Sequence, residues 1–459
     1  MKNFKKASAL LLAIVLLFQF VQLSLTSLAA NVTEDGLEYS TTNSKVTITK
    51  CPEDYEGALA IPSKIDGYSV TAIADTAFAN CYALTSVIIP DTVKTIGTYA
   101  FNGCQALKKV ILSKNIKIIS NSAFSQCPAL TTVTIPEGVT KICDGAFEEC
   151  SSLKSIKLPF SLTKIGSYAF YKCTALTSVT VPQDVKTVEE YAFANCTNLK
   201  NVYLSFGVKR IDYAAFQSCK NLTNLYMYHT ILEIYDCAFK GCSKLSNVWF
   251  AGDKLDKNII DMRDENTYLT KAKWNMECNF AEVDKQPAVG VNLSGKTAKV
   301  YVTAKGKDNT YKWYYKNKGG SDYTYTSSFK GRSYSISMNS ARDGRQVYCI
   351  ITDSYGNTIK SDVGVLYMGT PLKITTQPKS VTVAKNKTAK ATVKANGDGL
   401  KYTWYYKNAG QKSFSKSSVT SSTYSTKMTS KSKGRKVYCV VKDKYGCKTK
   451  SNTATLKMK

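Results

Sequence analysis

Histidine is almost missing: His229 is the single one among 459 residues. A nucleophile activated by its own histidine base is therefore excluded everywhere except around that residue. There is also no phosphate-binding glycine loop, no zinc-binding run of paired Cys and His, and no calcium loop of alternating Asp. Asp261, Asp264 and Glu265 cluster near one another, but such a group reads as solvated surface. Long apolar runs are equally scarce, the one example being residues 7–21. Acidic residues thin out along the chain. Residues 31–284 hold 27 Asp+Glu against 25 Lys+Arg, a net charge of −2, whereas residues 285–459 hold 7 against 34, a net charge of +27. Within that half, residues 371–459 have 2 acidic residues against 21 basic ones. These absences leave a non-enzyme with no cofactor and no metal, and a polar asymmetry that points to binding.

What is present is a repeat. From Ile73 to Phe250 a 23-residue phrase recurs eight times, its phenylalanines at Phe78, Phe101, Phe124, Phe147, Phe170, Phe193, Phe216 and Phe239. Three residues after each comes a cysteine, from Cys81 to Cys242, then a leucine three further on and a short apolar strand. A fixed period of this length means a solenoid, since one unit cannot bury its own apolar face and must stack on its neighbours. The spacing Phe78, Cys81, Leu84 predicts a short helical turn, and Val87 with Ile89 predicts a strand whose alternate side chains face inward. Pro90, Pro136, Pro159 and Pro182 end the strand. One coil is thus a helical turn, a strand and a loop, and stacked coils place one parallel sheet along one side. Fifteen cysteines in an exported chain would ordinarily form a disulfide framework. Eight of them, however, hold one equivalent core position, and bridging neighbours would need Cα atoms within roughly 7 Å. Thiols are expected.

The phrase Ile-x-x-x-Ala-Phe-x-x-Cys-x-x-Leu-x-x-Val-x-Ile-Pro resembles the BspA-like class of leucine-rich repeats. The lead-in over residues 66–73 and the exit from Trp249 through Trp274 are similar to those of that family. The resemblance implies exposure on a bacterial cell surface, binding to proteins or cells, and no catalytic residues. Around the repeats, Lys2, Lys5 and Lys6 before the apolar run and Ser27-Leu28-Ala29 after it predict a signal peptide over residues 1–30. Residues 31–72 are expected to be an N-terminal cap, 73–250 the repeats, and 251–284 a C-terminal cap and linker, with Asp284 to Pro287 marking the linker.

The last half carries two copies of another module, over residues 285–370 and 371–459. Trp313-Tyr314-Tyr315 recurs as Trp404-Tyr405-Tyr406, and Gly344-Arg345 through Cys349 recurs as Gly434-Arg435 through Cys439. Short alternating strands predict an all-β sandwich. The Trp with a Cys about 35 residues later resembles the immunoglobulin fold. Val302 and Val393 stand where the first disulfide partner would be, and Val347 and Val437 replace the tyrosine corner. Cys349 and Cys439 are therefore expected as buried thiols.

Two binding surfaces follow. Between the inward Val87 and Ile89 lies an outward position that reads Ile88, Ile111, Thr134, Lys157, Thr180, Tyr203, Tyr226 and Trp249 down the coils. The last three form an aromatic row, joined by Tyr228 and His229, suited to a protein or glycan partner. Ile88 and Ile111 read as cap contacts. In the basic half, Lys385, Lys387, Lys390, Lys394, Lys431, Lys433, Arg435 and Lys436 are the candidates for holding an anionic cell-envelope polymer. Only four of the 34 cations there are arginine. Lysine lacks the rigid fork that reads a phosphate bidentately, which favours loose adhesion and argues against specific nucleic-acid binding. With no membrane span or sorting signal before Lys459, the expected location is extracellular, released or held non-covalently on the cell surface. The alternative is a released glycan- or polyanion-binding protein in which the solenoid is a scaffold.

Overall fold

The computed structural model describes residues 31–459, so the export segment expected over residues 1–30 lies outside the described residues. The chain divides after Cys278 into two compact units. The first opens with an antiparallel hairpin, Glu38–Thr42 with Lys45–Lys50. Lys45–Lys50 then pairs in parallel with Tyr68–Ile73, and Gly57–Ala60 in parallel with Leu84–Ile88. Each of the two stacks that run down the molecule thus begins on a strand from outside the repeat. Leu37, Val46, Ile48 and Leu59 fill the space under these strands, as the open end of a solenoid requires.

Two parallel sheets run along the coils, where the sequence predicts one. The expected sheet contains Leu84–Ile88, Lys109–Ile111 and Thr132–Thr134, then resumes at Ser178–Val181 and continues through Asn201–Leu204, Asn224–Tyr228 and Asn247–Ala251 to Lys273–Asn275. Between its two segments a single bridge joins Thr134 to Lys157. The second sheet is built from two-residue strands, Ile118–Ile119 to Asp261–Met262, seven in order. Strands this short leave no alternating pattern to read.

The Ala-Phe-x-x-Cys segment is not a helical turn either. Each coil carries two residues in the left-handed region here. The first is Thr76, Tyr99, Ser122, Gly145, Tyr168, Tyr191, Ala214 or Cys237, with φ between 48° and 61°. The second is Asn80, Gly103, Gln126, Glu149, Lys172, Asn195, Ser218 or Gly241, with φ between 56° and 74°. A helix would spend these N–H groups inside its own turn. The left-handed residues instead aim alternate N–H groups at the next coil: Tyr168 to Glu190 O (3.0 Å), Phe170 to Ala192 O (2.8 Å) and Lys172 to Ala194 O (2.9 Å). Coils are consequently hydrogen-bonded to their neighbours along the turns as well as along the two sheets.

The core between the arms keeps the 23-residue register without a slip. All eight phenylalanines and all eight ladder cysteines are fully buried. Successive Phe rings stack with centroids 4.7–5.5 Å apart and planes within 12°. Each ladder cysteine from Cys104 to Cys242 donates its thiol to the carbonyl of the ladder Phe one coil earlier, at 3.1–3.2 Å. All fifteen cysteines are thiols.

The second unit contains two β modules of one design. In the first, Gly290–Asn292, Gly364–Met368, Arg345–Thr352, Thr310–Lys316 and Thr324–Thr326 form one sheet in that order, with Thr358–Lys360 also on Arg345–Thr352. Thr297–Tyr301 pairs with Ser333–Ser337 in a separate ladder. Asp284 and Lys285 are not linker. They lie in Glu282–Lys285, which pairs with Thr303–Lys305, so the unit boundary falls earlier, after Cys278. The buried Trp313 and Trp404 sit directly across from Cys349 and Cys439, and Val302 and Val393 are fully buried. Tyr445 joins the modules: its ring stacks on Tyr367 at 4.9 Å, and its hydroxyl lies 3.1 Å from Met368 O and 2.9 Å from Asp398 Oδ2.

Burial pushes the thiols of Cys150, Cys196 and Cys242 up to about 12 from an ordinary value of 9. The folded chain therefore keeps protons that the unfolded chain gives up above pH 9, and stability falls as pH rises from 9 towards 12. The urea midpoint is expected to be insensitive to these thiols below pH 8.5 or so. Above that, stability should fall by up to about 1.4 kcal/mol per pH unit for each such thiol. Replacing Cys150 and Cys196 by Ala should make the alkaline slope shallower, and an unchanged slope would remove the ladder thiols as its cause.

Candidate binding face

The outward row of the strand sheet forms as an aligned ladder. Thr180 pairs with Tyr203, Tyr203 with Tyr226, Tyr226 with Trp249, and Trp249 with Asn275 of the exit strand. The Tyr203 and Tyr226 rings stack at 4.5 Å and 12°, and Tyr226 and Trp249 at 6.1 Å and 8°. All three are half-buried, so stacking uses part of each ring and leaves part at the surface. Parallel strands about 4.8 Å apart set this spacing. An in-register aromatic on each strand must stack on the next.

A second row, not anticipated from the sequence, runs two residues earlier on the same face. Asn224 Nδ2 donates to Asn201 Oδ1 at 2.9 Å, Asn247 Nδ2 to Asn224 Oδ1 at 3.3 Å, and Trp249 Nε1 approaches Asn224 Oδ1 at 3.5 Å. The signal was legible, since these asparagines repeat at the 23-residue period beside the aromatics. Together the rows make a flat face of stacked rings edged by amides.

Tyr228 does not belong to that face. It is 3% exposed, because Phe206 from the preceding loop packs edge-on against it at 5.8 Å and 82°. His229 is exposed. Its Nδ1 lies 3.1 Å from Ala251 O, a contact in which Nδ1 donates to the carbonyl. At the other end Ile88 pairs with Ala60 of the first cap strand, yet Ile88 and Ile111 remain 47% and 42% exposed. The cap adjoins this pair without covering it.

The basic set does not form one patch. Two turns are joined by hydrogen bonds from Asn386 N to Met428 O (2.8 Å) and from Met428 N to Lys387 O (2.9 Å). They bring Lys385 and Lys387 to the same end of the module as the turn carrying Lys431 and Lys433. Lys390 is exposed on Thr388–Thr392. Lys394 lies on a separate ladder, and Lys436 on the large sheet opposite Lys407. Arg435 is no free cation. Its guanidinium donates to Asn408 Oδ1 (2.7 Å), Tyr424 OH (2.9 Å) and Thr426 Oγ1 (3.1 Å), and lies over the Tyr406 ring at 4.7 Å. Arg345 repeats the arrangement with Asn317, Tyr334 and Tyr315. Within the pairs Tyr314-Tyr315 and Tyr405-Tyr406, the second tyrosine serves this arginine, while Tyr314 and Tyr405 stack on Tyr348 and Tyr438.

Residues 71–185 and 163–264 match the family model described as BspA type leucine rich repeat region, in 6 copies. This stretch is a BspA-like leucine-rich repeat region. Among solved structures the chain is similar to a leucine-rich repeat protein of T. pallidum, with 27% identity over 53% of this chain and 98% of that one and a TM-score of 0.35. It is similar also to a leucine-rich repeat protein from Bacteroides ovatus, with 24% identity over 54% and 79% of the two chains and a TM-score of 0.35. A leucine-rich cell surface protein from Faecalibacterium prausnitzii shares 23% identity over 51% and 98% of the two chains, with a TM-score of 0.24. A search of curated proteins gives no match.

Because its charge is held by three side-chain acceptors and a ring, Arg435→Ala is expected to destabilise the protein by about 2–4 kcal/mol. Lys431→Ala or Lys433→Ala should cost under about 0.5 kcal/mol. Urea denaturation followed by tryptophan fluorescence, to which Trp404 contributes with Trp249, Trp274 and Trp313, distinguishes the two classes.

Proposed function

We propose that the protein is an exported bacterial surface or secreted binding protein whose solenoid presents the Tyr203, Tyr226, Trp249 face to a protein or cell-surface partner. The observation that carries this reading is the aligned aromatic row with its amide edge, on a half-buried face of the sheet. Rigid rings held by a sheet lose little freedom on binding, and aromatics dominate the energy of protein interfaces. The BspA-like region is consistent with a surface or adhesion role and with an extracellular location.

The two basic modules, read as immunoglobulin-like, serve in this proposal as stalk and non-covalent attachment to an anionic envelope polymer. Their charge of +27 against −2 for residues 31–284 favours that division. The same charge supports the second reading, a released protein in which these modules bind the anionic ligand and the solenoid is a scaffold.

Binding of the full chain to walls of a Gram-positive bacterium, with and without their anionic polymers, separates the two. Attachment should vanish with the polymers and weaken steeply between about 0.1 M and 1 M salt, as the screening length falls from roughly 10 Å to 3 Å. No binding at either salt would sink the attachment reading. On the solenoid, Trp249→Ala with Tyr226→Ala should lower affinity for target cells by roughly 30-fold or more and leave wall binding intact. Unchanged target-cell binding would move the site off this face.

A further inference from the structure

The turn arm carries an independent surface ladder at the first left-handed position of each coil. That position is Tyr99 in the second coil and Tyr168 and Tyr191 in the fifth and sixth, but Ser122 and Gly145 in the two coils between. Tyr168 stacks on Tyr191 through one face, at 4.9 Å and 19°. On the coil before it stands Gly145, which has no side chain to stack on Tyr168, while Tyr171 meets Tyr168 edge-on at 5.5 Å and 71°. Tyr99 stands three coils away, roughly 14 Å at about 4.8 Å per coil. The two small residues thus open a notch between two tyrosine walls, with a volume of about 380 Å³. Tyr99 is 48% and Tyr168 37% exposed.

Its remaining lining is polar and fixed. Asn121 Oδ1 accepts from Asp144 N at 3.2 Å, and Asp144 Oδ1 accepts from Ser167 N at 3.1 Å. Each bond leaves a second functional atom for another partner: the Asn121 NH2 as donor and Asp144 Oδ2 as acceptor. A Cβ built on Gly145 would lie 3.2 Å from Glu148 Oε2, so that carboxyl sits over the glycine floor. Burial, then the charge of Glu149, raises the proton affinity of Glu148 above the usual carboxylate range. Beside it Lys172 pairs with Glu149 at 2.7 Å, which limits the unbalanced charge.

We propose that this notch binds an uncharged hexopyranose ring, a second ligand site on the solenoid apart from the strand face. The open Tyr168 face takes the C–H face of the sugar, and Asp144, Glu148 and Asn121 supply acceptors and a donor for its hydroxyls. Its volume is at the small end of ligand sites and accommodates one or two rings. Carboxyls on the floor select against anionic sugars and phosphates, so this site and the basic modules take different ligands.

The test is saturation-transfer NMR on the full chain with the methyl glycosides of glucose, galactose, mannose and N-acetylglucosamine. A concentration of about 10 mM suits the millimolar affinity of a shallow site. Transfer to ring C–H protons of at least one sugar is expected. Gly145→Tyr should abolish it by continuing the tyrosine ladder. Tyr occupies the same conformation in three other coils at φ 52–59°, and the two close neighbours, Ser122 Oγ at 2.9 Å and Glu148 Oε2 at 3.2 Å, are side-chain ends that can rotate away. Tyr168→Ala should reduce transfer at least 10-fold. Equal transfer in wild type and Gly145→Tyr, or none from any of the four sugars, would overturn the site. Signals from lysine amide in place of the sugars would overturn the ligand class.

Discussion

The carbonyl oxygen of the ladder phenylalanine ties the solenoid together. In its own coil it accepts from the N–H of the cysteine three residues on, as Phe147 O does from Cys150 N at 3.3 Å. From the next coil it accepts a thiol, as from Cys173 at 3.2 Å. The oxygen uses both lone pairs, one within the coil and one across the stack. A buried thiol is the group that can do this while packing as a small hydrophobe. The arrangement sets the vertical register of the stack. With the thiol on the wrong carbonyl, the Phe rings would lose their parallel contact, and the left-handed residues would aim their N–H groups past their acceptors.

That constraint explains why function can sit where the period is loosest. Phe, Cys, Leu and the inward strand residues are held constant by the core. The outward strand positions and the first left-handed position are free to vary, because neither contributes to the ladder beyond its backbone. Variation at these positions is therefore displayed in ordered rows at a spacing set by the stack. A tyrosine repeated in adjacent coils becomes a stack, as at Tyr203 and Tyr226. A glycine replacing it becomes a gap, as at Gly145. The proposed partner and sugar sites both arise from this one device.

The fold was legible in the sequence where a residue type had to recur. Phe78 to Phe239 and Cys81 to Cys242 announced the coil, its core and the outward strand row, and Trp313 and Trp404 announced the modules. The rest was hidden for separate physical reasons. The helical turn was wrong because the spacing Phe78, Cys81, Leu84 is shared by a helix and by consecutive turns. What distinguishes them is a left-handed conformation that Asn80, Gly103, Asn195 and Gly241 suit but that Glu149 and Lys172 adopt as well, so the residue types give no consistent signal. Tyr228 obeys strand alternation in sequence, and the packing of Phe206 from another coil against it is not visible there. Arg435 looked like one more surface cation because its acceptors, Asn408 and Tyr424, are distant in the chain.

The fate of the arginines bears on what the basic half can recognise. Of its four, Arg345 and Arg435 are fixed by side-chain acceptors and tyrosine rings, and Arg342 donates to Ser337 O at 2.6 Å. The groups able to read a phosphate or carboxylate bidentately are thus largely committed inside the modules, and the outward charge is lysine. An ammonium on a flexible stem contributes field more than geometry. Affinity of the proposed attachment should then follow the number of lysines and the salt concentration, with little regard to how the polymer's anionic groups are arranged. Discrimination between partners must come from a surface with defined shape. In the proposed function that surface is the solenoid, where the stack sets the spacing of the aromatic rows and the notch.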